Sequence, residues 1–156
     1  MGQTNRSRVP AVWSGSFADR LVVDCPACGG KAVIRVTEPV EREGELIFAA
    51  RRLVCEACGL NRERPRTPNG TPADPFMGRP PRLRAETRHG TLIARNEDHL
   101  DYLERYLAGG LREEMRAPDD TIRNTTMVSR LPAWTKAAKN RDEVLKAIAR
   151  VRRERL

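Results

Sequence analysis

The sequence predicts an α+β chain: N-terminal β-hairpins stapled by a metal, followed by a C-terminal helical segment of about three helices. Three observations carry this. Two knuckles are present, Cys25-Pro26-Ala27-Cys28-Gly29 and Cys55-Glu56-Ala57-Cys58-Gly59, with 26 residues between Cys28 and Cys55. The residues between them alternate with period two, as a half-buried strand does. From Asn96 onward the apolar residues recur at three-to-four spacing, the period of an amphipathic helix.

Composition bounds the rest. The chain has 156 residues, of which 39% are hydrophobic and only 4% aromatic, so its core must be aliphatic. A small aliphatic core in a chain with 11 prolines gives modest stability, and a structural metal offsets that. All four cysteines lie in the knuckles and none is left over. No apolar run approaches the roughly 18 residues that read as a bilayer-spanning helix, and residues 1–18 lack a signal-peptide core. The expectation is therefore a cytoplasmic protein with no membrane partner, in which paired Cys-x-x-Cys motifs hold metal and do not form disulfides.

Taken in order, residues 1–18 are small and polar and read as a disordered arm. Residues 19–64 form the first folded unit. Leu21-Val22-Val23 leads into the first knuckle, Lys31 to Thr37 reads as a strand, and Glu41 to Glu45 as its turn. Leu46 to Val54 then reads as a returning strand into Cys55. The glycines after Cys28 and Cys58 suit the left-handed backbone that turns amide groups toward the sulfurs. A hairpin with one knuckle on each arm is a zinc ribbon, with Cys25, Cys28, Cys55 and Cys58 as ligands of one structural Zn²⁺. The donor set alone also suits iron, as in a rubredoxin. The single aromatic between the knuckles, Phe48, and the basic chain favour zinc.

Residues 65–81 carry Pro65, Pro68, Pro72, Pro75, Pro80 and Pro81 and read as a linker, since proline at this density excludes helix and central strand. Residues 82–95 read as a hairpin turning at His89-Gly90, which could extend the ribbon sheet. Residues 96–156 are the helical region. Asn96 is an N-cap with Glu97 and Asp98 in the first turn. Leu100, Leu103, Leu107, Leu111 and Met115 form its stripe, interrupted by Gly109-Gly110. Two further helices are expected over 124–138 and 141–155, with Asn140 and Glu143 as a capping box.

No catalytic constellation emerges. The two histidines, His89 and His99, have no cysteine or carboxylate at ligand spacing, and no glycine-rich phosphate loop is present. The reading is a non-enzymatic protein with no small-molecule substrate. Its net charge of +8 is unevenly spread: residues 19–64 balance, whereas residues 130–156 carry nine basic groups and three acidic ones. Arg51, Arg52, Lys146, Arg150, Arg152 and Arg153 are the candidate contacts to nucleic acid. The alternative is a protein–protein adaptor using the apolar faces of the C-terminal helices around Leu100, Leu107 and Trp134.

Over residues 21–64 the knuckles resemble those of zinc-ribbon proteins of the general-transcription-factor-B type. Asn96-Glu97-Asp98-His99-Leu100-Asp101-Tyr102-Leu103-Glu104 and Ser129-Arg130-Leu131-Pro132-Ala133-Trp134-Thr135-Lys136-Ala137-Ala138-Lys139-Asn140-Arg141 are similar to stretches in a group of small bacterial zinc-ribbon proteins. Similar chains carry a cysteine-containing turn where this one has Thr87-Arg88-His89-Gly90, and that third pair is absent here. The resemblance implies zinc at the four cysteines and contact with nucleic acid or with a transcription or replication complex. It carries no reaction.

Overall fold

A computed structural model describes residues 17–68, 71, 73–109 and 130–156, together with Arg8–Val9 (β1) and Glu113–Glu114 (β8), which pair in parallel. Its architecture is α+β. Arg20–Asp24 (β2), Lys31–Val36 (β3), Arg51–Cys55 (β4) and Asn61–Arg64 (β5) form an antiparallel meander in the order β2-β3-β4-β5. Leu83–Thr87 (β6) and Gly90–Ala94 (β7) form a separate hairpin. The helices are Glu97–Ala108 (α1), Ala133–Lys136 (α2) and Arg141–Arg155 (α3).

Strand β2 is the spine between two cores. Leu21 and Val23 point to one side, where Ala32, Ile34, Leu53, Cys25 and Cys55 join them. Val22 points to the other, into a cluster built by the β6–β7 hairpin, α1 and α3. Burial on both faces explains the continuous Leu-Val-Val run, which a one-sided strand would not carry. The free edge of β2 is satisfied as well. Val22 N–H donates to Arg95 O at 2.8 Å, Asp24 N–H to Pro80 O at 3.3 Å, and Val22 O accepts from Arg82 N–H at 3.0 Å. The hairpin thus lies along the ribbon edge through its flanking residues, while its own strands form a distinct sheet.

Helix α1 begins where its cap chemistry dictates. Asn96 Oδ1 accepts the His99 N–H at 2.9 Å, and its Nδ2 donates to Phe17 O and Arg20 O at 3.2 and 2.9 Å. One buried side chain therefore caps the helix and ties it to the sheet. Leu100, Leu103 and Leu107, with Tyr102 and Tyr106, face the cluster that α3 completes with Val144, Ala147, Ile148 and Val151. Arg82 joins the layers: Nε donates to the Arg155 carbonyl at 2.9 Å, and Nη1 to Asp24 Oδ1 at 2.9 Å.

Several expectations are corrected. The returning strand starts at Arg51, not Leu46, because residues before it turn through a 3₁₀ segment at Glu43–Glu45 and Ala50 N–H is taken by Glu38 Oε1 at 3.1 Å. Strand β5 was not anticipated. The proline-rich stretch is packed: Phe76 and Met77 cover the ribbon core. They are held in a turn where Asp74 accepts the N–H groups of Phe76 and Gly78 at 2.9 and 2.8 Å. Helix α1 ends at Ala108, with Gly109 extended, so Gly109 stops the stripe; Leu111 and Met115 fall outside the described residues. Of the expected helix over 124–138, residues 124–129 fall outside the described residues too, and the rest is the single turn α2 started by Pro132. Asn140 forms no capping box. A 3₁₀ turn, Ala138–Asn140, runs straight into α3, and the Asn140 amide donates instead to Trp134 O at 2.9 Å.

Candidate metal centre

The two knuckles are built alike. In the first, Cys25 N–H donates to Gly30 O at 2.8 Å and Gly29 N–H to Cys25 O at 3.0 Å. In the second, Cys55 N–H donates to Leu60 O at 2.9 Å and Gly59 N–H to Cys55 O at 2.9 Å. Gly29 and Gly59 sit at φ 72° and 76°, the left-handed region where a side chain is strained. The turn aims amides at sulfur: Ala27 N–H lies 3.4 Å from Cys25 Sγ, and Gly30 N–H 3.4 Å from Cys28 Sγ. Because β3 pairs with β4 in a register that sets Ala32 opposite Cys55, the knuckles meet at one end of the sheet.

The four sulfurs all lie within 4.8 Å of one another. Cys25 Sγ is 3.6 Å from Cys58 Sγ, and Cys28 Sγ is 3.6 Å from Cys55 Sγ. A tetrahedron with metal–sulfur bonds of about 2.3 Å has edges of about 3.8 Å. The donor set therefore fits one metal ion, and all four cysteines are free of disulfides. Cys25 and Cys55 are buried while Cys28 and Cys58 reach the surface.

The thiols titrate unequally. Burial opposes ionisation of Cys25, but the N–H groups of Cys28 and Ala27 and the neighbouring thiols prevail and bring it down to about 6. The Leu60 N–H favours a Cys58 thiolate, yet burial and the three surrounding sulfurs outweigh it and push that thiol up to about 12. Clustering thus favours the Cys25 thiolate and opposes ionisation at Cys28 and Cys58. A divalent cation reverses that resistance by supplying the compensating charge.

The candidate nucleic-acid contacts separate into two groups. Arg51 is 1% exposed, with Nη1 donating to Ala18 O at 2.9 Å and Nη2 to Leu46 O at 2.7 Å. It is a structural cation, a correction to its reading as a contact. Its residue falls on the inward register of Leu53 and Cys55, and counting back from Cys55 by twos would have found it. Burial, then the nearby charge of Arg64, brings its pKa down to about 10. Arg152 is part-exposed and ion-paired to α1, with Nε 2.8 Å from Glu104 Oε2 and Nη2 2.5 Å from Asp101 Oδ1. Arg52 is exposed and paired with Glu63. Lys146, Arg150 and Arg153 lie on the exposed side of α3, with Arg153 only 3.8 Å from its neighbour Glu154.

Of the residues named for an adaptor surface, two are buried and one is half-buried. Leu100 and Leu107 are buried in the cluster shared with α3, and Trp134 packs against it. Sequence reasoning missed Arg20, Lys31 and Arg35, although the alternation that places Ala32 and Ile34 inward places Lys31 and Arg35 outward. Among the described residues, no helix is long and apolar enough to cross a membrane. Comparison with protein-family models, curated proteins and solved structures gives no match.

Proposed function

We propose that this chain is a zinc-ribbon protein, related to the transcription-factor-B type, that binds nucleic acid or a nucleic-acid-processing complex and is not an enzyme. The ion at Cys25, Cys28, Cys55 and Cys58 is structural Zn²⁺. Four thiolates fill its coordination shell, leaving no position for water or substrate, and hold together the two turns that carry them. The cytoplasm, where thiols stay reduced, is the compartment that suits such a site.

The observation that carries the binding reading is the positive charge left uncompensated on the surface. Lys146 and Arg150 on α3 and Arg35 on β3 are exposed and have no carboxylate partner among the described residues, on a chain of net charge +8. Arginine and lysine on such faces neutralise phosphates and release counterions, giving sequence-tolerant, salt-sensitive binding. An electrophoretic shift of labelled DNA and RNA by zinc-loaded protein tests this. A shift at about 50 mM salt that fades by about 200 mM is expected. No shift of either at the lower salt overturns the reading.

A further inference from the structure

The outer face of the ribbon sheet is only half covered. Over β2 the helical layer sits on Val22, whereas among the described residues a groove of about 680 Å³ lies open over β3 and β4. Arg20, Arg35 and Arg52 stand in one row across it, because the register sets Arg20 opposite Arg35 and Arg35 opposite Arg52. Neighbouring strands lie about 4.8 Å apart, so three guanidinium-bearing residues share roughly 10 Å. Like charges directly opposite one another destabilise a sheet. The outer two are compensated, Arg20 by Glu97 and Arg52 by Glu63, but among the described residues Arg35 at the centre has no counter-ion. The sheet holds an unneutralised cation between two others on an open face.

We propose that this groove seats a single nucleic-acid strand, with phosphates over Arg35 and its two flanking arginines and sugars over Val33 and Val54. The proposal rests on the nucleic-acid reading above and names the surface and form of the ligand. Three features select a strand. Lys31 lies on the same face four residues along β3 from Arg35, about 13 Å away, with its Nζ 2.6 Å from Glu97 Oε1, so a strand running along β3 meets the unpaired Arg35 at one end and an ion-paired lysine at the other. Between them Val33 lines the floor and Val54 is 39% exposed, an apolar step suited to ribose or deoxyribose. Arginine's planar fork also matches two phosphate oxygens at once.

The same geometry disfavours a duplex. Glu97 and Glu63 stand at the two ends of the arginine row, and Glu56 lines the groove. A duplex carries one charge per about 1.7 Å of axis over both strands, and its second strand would lie against these acids. Among the described residues no aromatic ring lines the groove, so binding there is expected to be sequence-tolerant. Two valines without an aromatic pocket also make a poor anchor for a protein partner, whose binding energy concentrates in such pockets.

Fluorescence anisotropy on the zinc-loaded full chain tests the proposal, using a labelled oligonucleotide of about 20 bases, single-stranded and as a duplex, at about 50 mM salt. The single strand is expected to bind several-fold tighter. Arg35→Ala/Arg52→Ala removes two exposed cations, and zinc content and circular dichroism check that it remains folded. It should weaken single-strand binding about tenfold or more and flatten the log–log salt slope by about 1.4, at roughly 0.7 per lost contact. Lys146→Ala/Arg150→Ala, on α3 and outside the groove lining, should change single-strand binding less. Wild-type affinity in the groove variant, or tighter duplex binding, overturns the proposal. If the helix variant alone loses binding, the nucleic-acid reading stands and the groove is overturned. If the wild type binds neither oligonucleotide, the broader reading falls and the groove with it.

Discussion

The two sides of β2 are held together by different physics. On the ribbon side the core is seven small or medium side chains, two of them the metal-binding Cys25 and Cys55, with Leu60, Phe76 and Met77 partly covering it. On the helical side the cluster has fourteen buried residues, with Leu100, Leu103, Leu107 and Ile148 among them. Burial of an aliphatic side chain of that size gives about 1.5–3 kcal/mol, so the helical layer can sustain itself on apolar area. The ribbon has less apolar area to draw on, and its two knuckles meet at a four-cysteine cluster that fits a metal ion. A fold can thus delegate one half to coordination chemistry and the other to packing, provided that one strand is shared by both.

Metal removal is the largest way to break this asymmetry. Structural zinc contributes roughly 10–16 kcal/mol of apparent binding energy in zinc-finger peptides, more than the net stability of most small domains. Chelation should abolish the amide dispersion of β3 and β4 in NMR spectra while the helical circular-dichroism band is largely retained. A ribbon spectrum that survives verified loss of all metal would show that packing alone holds the ribbon.

A cavity on the other side should give the converse result. Leu103 is fully buried between α1 and its neighbours. Leu103→Ala removes three heavy atoms from that core and should cost about 2–5 kcal/mol in urea-induced unfolding of the zinc-loaded protein. Cys25 and Cys55 belong to the other cluster, so metal stoichiometry should stay at one ion per folded chain. If Leu103→Ala released the metal before unfolding, the two halves would be coupled more tightly than a shared strand implies.

Legibility in the sequence follows the same division. The metal ligands, the hairpin at His89-Gly90 and the Asn96 cap are local signals: fixed spacing, a turn dipeptide and an N-cap residue with acids behind it. What escaped was set by distant partners. Arg51 reads as a surface cation by residue type; the two-residue period back from Cys55 turns it inward, but the Ala18 and Leu46 carbonyls that receive its guanidinium are set by the tertiary fold. The prolines of residues 65–81 do exclude regular structure, but nothing in that rule forbids Phe76 and Met77 from docking on a core. Asn140 and Glu143 have the spacing of a capping box, and the Trp134 carbonyl outcompetes it for the Asn140 side chain. The row Arg20, Arg35, Arg52 exists only once three strands are in register.

The smallest effect lies at the junction of the two halves, where His99 of α1 stacks on Phe17 with ring centroids 5.2 Å apart. It is 4% exposed, and its Nδ1 accepts the Arg95 N–H at 3.0 Å, so the neutral ring carries its proton on Nε2, which is buried without a partner among the described residues. Burial, reinforced by the Arg95 charge, brings its pKa down to about 3. In the unfolded chain the same imidazole takes up a proton near its ordinary value of about 6.5. Between those two values the unfolded state binds more protons, so stability must fall as pH falls, by about 1.4 kcal/mol per unit once well below 6.5. Glu97, held down to about 2 mainly by its hydrogen bond from Arg20, adds a loss of the same sign only below the ordinary carboxylate range. Urea titrations of zinc-loaded protein between about pH 7.5 and 5.5 should therefore lose about 1 kcal/mol to His99. His99→Gln should remove that part of the pH dependence while leaving the proton competition at the cysteines common to both proteins. Equal slopes in the two proteins would mean that His99 takes up its proton in the fold, and that the seam between the ribbon and the helices is wetter than its burial indicates.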